Sequence, residues 1–154
     1  MFERYTEKAR RVIFYARYEA VMHGCSQIET EHLLLALFRE SGRDWKALLG
    51  DIDMDVIRDD IGDQVSNEQL VPNSTEIPLS VESKQVLALA AEEADRAERR
   101  ERFLAYLRPR TIGTKHLMAG LLLTEHCRAV QILKARGMAV EKVLGAFRGR
   151  AELD

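Results

Sequence analysis

The chain has 154 residues, 46% of them apolar and 31% charged, with a formal net charge of −2. That length and composition describe one globular domain able to bury its own core without disulfide or metal, and they exclude a disordered polypeptide. No run approaches the ~18–20 consecutive apolar residues of a membrane-spanning helix, and an opening that already carries Glu3 and Arg4 does not read as a signal peptide.

Almost every periodic segment reads as helix. Ala9, Val12, Ile13, Ala16 and Ala20 recur at helical spacing behind Thr6, a good N-cap, with Glu7 in the first turn and Gly24 as the stop. Thr30 is the expected cap of a second helix through Leu33, Leu34, Leu37 and Phe38, ending near Ser41 and Gly42. A short third helix is expected around Trp45, Leu48 and Leu49, and a fourth over Met54, Ile57, Ile61 and Val65. The polar stretch 66–78, with Pro72 and Pro78, reads as a linker.

The order then repeats. Leu79 to Leu87, followed by Ala90, Glu93 and Ala94, echoes Tyr5 to Ile13 with Ala16, Glu19 and Ala20 at an offset of 74, so Ser80 should cap the helix as Thr6 does. Ile112-Gly113-Thr114-Lys115-His116-Leu117-Met118 echoes Ile28-Glu29-Thr30-Glu31-His32-Leu33-Leu34, with Thr114 as the expected cap. Ile132 and Leu133 answer Leu48 and Leu49, and Met138, Val140, Val143 and Phe147 answer Ile52, Met54, Ile57 and Ile61. The expected architecture is all-α: one domain over 1–154, built of a four-helix repeat over 2–65, the linker 66–78 and a second repeat over 79–148, packed as a pseudo-twofold eight-helix bundle.

The copies diverge in charge. Residues 1–65 hold 9 Lys and Arg against 13 Asp and Glu, whereas residues 79–154 hold 14 against 10. Neither half is basic enough to indicate nucleic acid. Between Ala94 and Ile112 the second copy has ten extra residues, and Glu98 replaces the glycine stop. Arg99, Arg100, Arg102, Phe103 and Tyr106 in this stretch are a candidate interaction surface, against the plainer reading of a solvated helix packed on the bundle. Cys25 and Cys127 lack CxxC spacing and His23 and His126 lack metal spacing, so a reducing, cytoplasmic setting without metal or cofactor is expected.

The pair Thr6-Glu7-Lys8-Ala9-Arg10-Arg11-Val12 and Thr30-Glu31-His32-Leu33-Leu34 resembles the Clp N-terminal repeat, the front domain of Clp/Hsp100-type AAA+ unfoldases, especially the ClpC branch. Ser80-Val81-Glu82-Ser83-Lys84 and Gly113-Thr114-Lys115-His116-Leu117 are similar but more diverged, and together the motifs cover nearly the whole chain. The resemblance implies a non-catalytic module binding adaptors or substrate proteins, either the front domain of a longer unfoldase or a free-standing accessory subunit docking on a Clp ring. No phosphate-loop signature for ATP and no GxSxG or HExxH run contradicts it. Mapped by motif, it implies a binding site at Thr6, Thr30 and Glu31 in the first repeat, with a carboxylate suited to the guanidinium of a phosphorylated arginine and a helix start suited to its phosphate. The second site, at Ser80, Thr114 and Lys115, has a cation where that carboxylate belongs, and is expected to refuse phosphoarginine in favour of a plain phosphate or an acidic side chain.

Overall fold

Leu33, Leu34, Leu35, Ala36, Leu37 and Phe38 are consecutive, and none is more than 2% exposed. A helix with apolar residues on every side has no solvent face and must be enclosed by others. In the computed structural model, which describes residues 2–50, 52–62, 76–100 and 111–150, this helix is the centre of the fold. The described helices are α1 (Glu7–Met22), α2 (Thr30–Leu49), α3 (Met54–Gly62), α4 (Val81–Arg100), α5 (Thr114–Leu123), α6 (Arg128–Ala135) and α7 (Val140–Arg150). Central α2 touches all six of the others.

The expected third helix is not separate. It continues α2 beyond a kink at Ser41, whose φ of −139° and ψ of 38° leave the helical region. Trp45 holds the bend: buried at 2% exposure, it donates its indole N–H to the Leu37 carbonyl at 2.9 Å and stacks on Phe147 of α7 at 5.9 Å between ring centroids. With α2 counted as two arms, each repeat supplies four helical segments among the described residues. Trp45 therefore closes the seam between repeats as well as the core of the first.

Local sequence explains most boundaries. Thr6 accepts from Ala9 N at 3.2 Å and Ser80 accepts from Ser83 N at 3.1 Å, so both expected caps form. At the end of α1, Gly24 takes a φ of 69°, Gly24 N donates to Val21 O, and Cys25 N donates to Ala20 O. That is the Schellman arrangement, open to glycine because left-handed backbone crowds a Cβ. The fourth element of the first repeat appears as α3, up to Gly62. The second repeat has Glu98 in place of that glycine, and α4 runs on to Arg100. The expected surface falls largely outside the described residues: Arg102, Phe103 and Tyr106 lie beyond them, as do the side chains of Arg99 and Arg100.

The repeats are joined by two reciprocal backbone clamps. Thr6 N donates to Ile112 O at 3.0 Å while Ile112 N donates to Arg4 O at 2.8 Å. The counterpart is Ile28 N to Pro78 O at 2.8 Å and Ser80 N to Ile28 O at 3.0 Å. Both are isolated parallel bridges, Tyr5 with Ile112 and Ile28 with Leu79. Each repeat's leading segment is thus pinned to the entry of the other repeat's second helix. The end of the expected linker is part of this clamp.

Packing is close where α4 meets α5. A Cβ added at Gly120 would run into the Val86 carbonyl oxygen and lie 2.8 Å from Ala90 N, both backbone atoms that no rotamer change can move. Gly120→Ala gains up to about 1 kcal/mol of helix propensity but overpacks this crossing, which typically costs about 1–3 kcal/mol. We expect a lower urea midpoint with an unchanged m-value; a raised midpoint would show that α4 and α5 are not packed this closely.

Candidate functional site

The two helix starts singled out by sequence, at α2 and α5, share a device that the threonines do not supply. Glu29 and Gly113 are the N-caps, and Thr30 and Thr114 are the first helical residues. The histidine three residues beyond each cap closes the turn: Glu29 N donates to His32 Nδ1 at 2.9 Å, and Gly113 N to His116 Nδ1 at 3.0 Å. The expectation that Thr30 and Thr114 cap these helices is corrected. Because each threonine is the first helical residue rather than the cap, its hydroxyl is open to other contacts. His32 and His116 hold these turns.

At the α2 start, Thr30 is 0% exposed and Glu31 5%. The Thr30 hydroxyl accepts from Ala129 N at 3.3 Å and donates to Glu31 Oε2 at 3.4 Å. The other carboxylate oxygen, Glu31 Oε1, accepts from Arg128 Nη1 at 3.4 Å, while Arg128 Nη2 donates to the Asp60 carbonyl at 3.3 Å. One residue cluster therefore gathers the start of α2, the last turn of α3 and the start of α6. Arg136 adds a second tie to Asp60, at 2.6 Å. Burial pushes the Glu31 carboxyl above its ordinary range, against its own backbone N–H, Arg128 and Thr30, which favour the charged form, while nearby Glu29 adds to the rise. Both contacts of Arg128 are long, and its side chain keeps 29% of its exposure. This is a guanidinium seated on a carboxylate without the short bidentate geometry of a tight pair.

The α5 start is open by comparison. Lys115 is exposed, and Thr114 and His116 are half-buried. Its neighbour is Thr6 of the first repeat, whose methyl group lies 3.9 Å from the Cβ position at Gly113. Ser80, in turn, lies at the α2 end: Ser80 N and the Ser83 hydroxyl both donate to Ile28 O. Spatial grouping thus crosses the sequence grouping, bringing Thr6 to Gly113, and Ser80 to Ile28, two residues before Thr30. Sequence reasoning missed Arg128, Asp60 and Arg136. Arg128 lies 97 residues from Glu31 in the chain and belongs to no repeated motif, so no local signal marks it. Among the described residues no cluster of three or more His, Cys, Asp or Glu could hold a metal ion. Cys25 and Cys127 are free, and burial pushes both thiols up, away from the reactive thiolate.

His32 is wholly buried, its Nε2 without a protein partner and its ring 5.8 Å from that of His23. Burial, followed by the proximity of His23 and Arg128, lowers its pKa to about 3. In the unfolded chain the same group titrates near 6.5. Between those values the unfolded state binds a proton that the folded state refuses, so this contribution is complete above about pH 6.5 and is lost as pH falls toward 3, by up to ~1.4 kcal/mol per pH unit. Raised Glu31 works in the opposite sense around the carboxylate range. In His32→Asn, whose amide oxygen can take the Glu29 N–H, urea unfolding from pH 7 to 5 should show a flatter loss of stability than the parent; equal slopes would remove His32 from this role.

Residues 4–101 match the Clp repeat (R) N-terminal domain. The chain is 32% identical over 149 residues to the ATP-dependent Clp protease ATP-binding subunit ClpA homolog of Cyanidium caldarium, and 31% over 145 residues to the negative regulator of genetic competence ClpC/MecB of Bacillus subtilis. These alignments cover 93% and 92% of the chain but 16% of each relative, so the chain spans about a sixth of their length. The crystal structure of the N-terminal domain of the chaperone ClpD from Arabidopsis thaliana superposes with a TM-score of 0.75 at 29% identity, covering 99% of this chain and 97% of that one. Among the described residues no helix is long and apolar enough to cross a membrane. By motif, by fold and by this match over most of its length, the chain belongs to the Clp repeat N-terminal domain family.

Proposed function

We propose that this chain is a non-catalytic protein-binding module of the Clp chaperone and protease system, with adaptor proteins or client polypeptides as its partners, working in a reducing compartment such as the cytoplasm. The observation that carries this reading is the agreement of fold with the ClpD N-terminal domain over nearly the entire chain. The relatives are ATP-binding subunits and chaperones about six times the length of this chain.

The Thr30–Glu31 cluster is the proposed recognition site of the first repeat. Its carboxylate is chemically fitted to guanidinium and already receives that of Arg128, at 3.4 Å. We infer that a client's arginine, phosphorylated or plain, binds by exchanging with Arg128; the length of the Arg128 contacts favours exchange. A phosphate carried on that arginine would lie near the α2 start, where backbone N–H groups favour an anion. The open α5 start, with Thr6, Thr114 and exposed Lys115 in place of a carboxylate, suits an acidic side chain or a plain phosphate, and Ser80 supports the α2 side through the Ile28 clamp.

Competition from an internal group lowers apparent affinity by the fraction of time that the site is free. In isothermal titration calorimetry with free phosphoarginine, Arg128→Ala should therefore bind about tenfold more tightly than the parent, and Glu31→Gln in that background should abolish the gain. Equal affinities in all three would take Glu31 out of ligand contact. The broader reading is checked with a fluorescein-labelled unfolded polypeptide carrying phosphoarginine: saturable binding is expected, and its absence would remove client recognition.

A further inference from the structure

Among the described residues four large apolar side chains are exposed, and three of them lie on one helix: Phe14 at 64%, Tyr18 at 48% and Met22 at 59%. Their spacing of four places them in a line along the outer face of α1. The opposite face, Ala9, Val12, Ala16 and Ala20, is wholly buried. Single exposed apolar residues are ordinary, but a line of them over two turns, about 12 Å long, is a contiguous surface.

Two arginines without an acidic partner among the described residues flank this line. Arg10, one turn before Phe14, donates only to the backbone carbonyls of Phe2 and Glu3. Arg39 lies over the rings of Tyr15 and Tyr18, at 4.2 and 5.5 Å from their centroids. Neither has a carboxylate partner among the described residues, whereas Arg11 is neutralised by Glu40 and Glu7. Aromatic residues, methionine and arginine are the side chains enriched at the centres of protein interfaces.

We propose that the outer face of α1 is a docking surface for an amphipathic helix of a partner protein, with that helix's apolar stripe on Phe14, Tyr18 and Met22 and its flanking acidic residues on Arg10 and Arg39. A helical partner matches the four-residue spacing of the line, and the two uncompensated guanidinium groups select an acidic one. Unlike the buried Thr30–Glu31 cluster, this surface faces outward and shares no residue with it, so each can fail without the other.

The test uses the whole chain, labelled with nitrogen-15, and two synthetic helical peptides of the same leucine spacing, one with glutamates flanking the stripe and one with lysines there. We expect the glutamate peptide to bind, with shift changes along α1, and the lysine peptide to bind at least about tenfold more weakly. Phe14→Glu with Met22→Glu should abolish binding while leaving the urea midpoint near that of the parent, because both side chains are exposed. Arg10→Gln with Arg39→Gln should weaken binding and flatten its salt dependence. Equal binding of both peptides, shift changes confined to other helices, or no binding at millimolar peptide would overturn the proposal. So would sedimentation showing that the chain self-associates through Phe14 and Met22, since the occupant would then be a second copy.

Discussion

The enclosure of α2 is the constraint that the rest of this molecule answers to. Six successive apolar residues without a solvent face cannot be covered by one neighbour, and α1, α3, α4, α5, α6 and α7 all contribute to the cover. A single four-helix repeat would leave part of this helix in water, at a cost of roughly 25 cal/mol for each Å² of apolar surface. The second repeat is therefore a structural necessity for the first. Reciprocal clamps at Tyr5 with Ile112 and at Ile28 with Leu79 fix how the halves meet.

On this nearly symmetric scaffold the chemistry is asymmetric. Both second helices begin with a cap N–H held by a histidine, yet the surroundings differ. The α2 start is roofed by α6, which brings Arg128 to Glu31 and the Ala129 N–H to Thr30. Lys115 at the α5 start faces solvent. One duplicated turn has become a buried, arginine-filled carboxylate seat and the other an exposed cationic corner. The opposing charge balances of the two halves follow the same division.

Much of the fold was legible because its determinants are local. Helical spacing from Ala9 to Ala20 predicts the buried face of α1, Thr6 and Ser80 cap as hydroxyl residues before an apolar run should, and Gly24 ends α1 by adopting backbone that other residues avoid. Errors arose where two local solutions competed. Thr30 and Thr114 are good caps by type, but His32 and His116 reach the same turn, and the histidine bond leaves the threonine one residue inside the helix. Around Ser41 and Gly42 the pattern suggests an end, whereas the Trp45 indole bonded to Leu37 O and stacked on Phe147 carries the chain through as a kink.

The candidate site was less legible than the fold. Residue types at the two helix starts, the carboxylate of Glu31 among them, could be named from the repeated motif. The partner of Glu31 could not be, since Arg128 comes from the other repeat and has no motif of its own. Nor could the crossing that brings Thr6 to Gly113 and Ser80 to Ile28. By itself the sequence determined the elements, their order and the duplication, because caps, stops and apolar period act over a few residues. Tertiary structure decided which helix starts are buried, which charges meet and which face of α1 remains uncovered, because these depend on groups dozens of residues apart whose contact exists only after α2 has been enclosed.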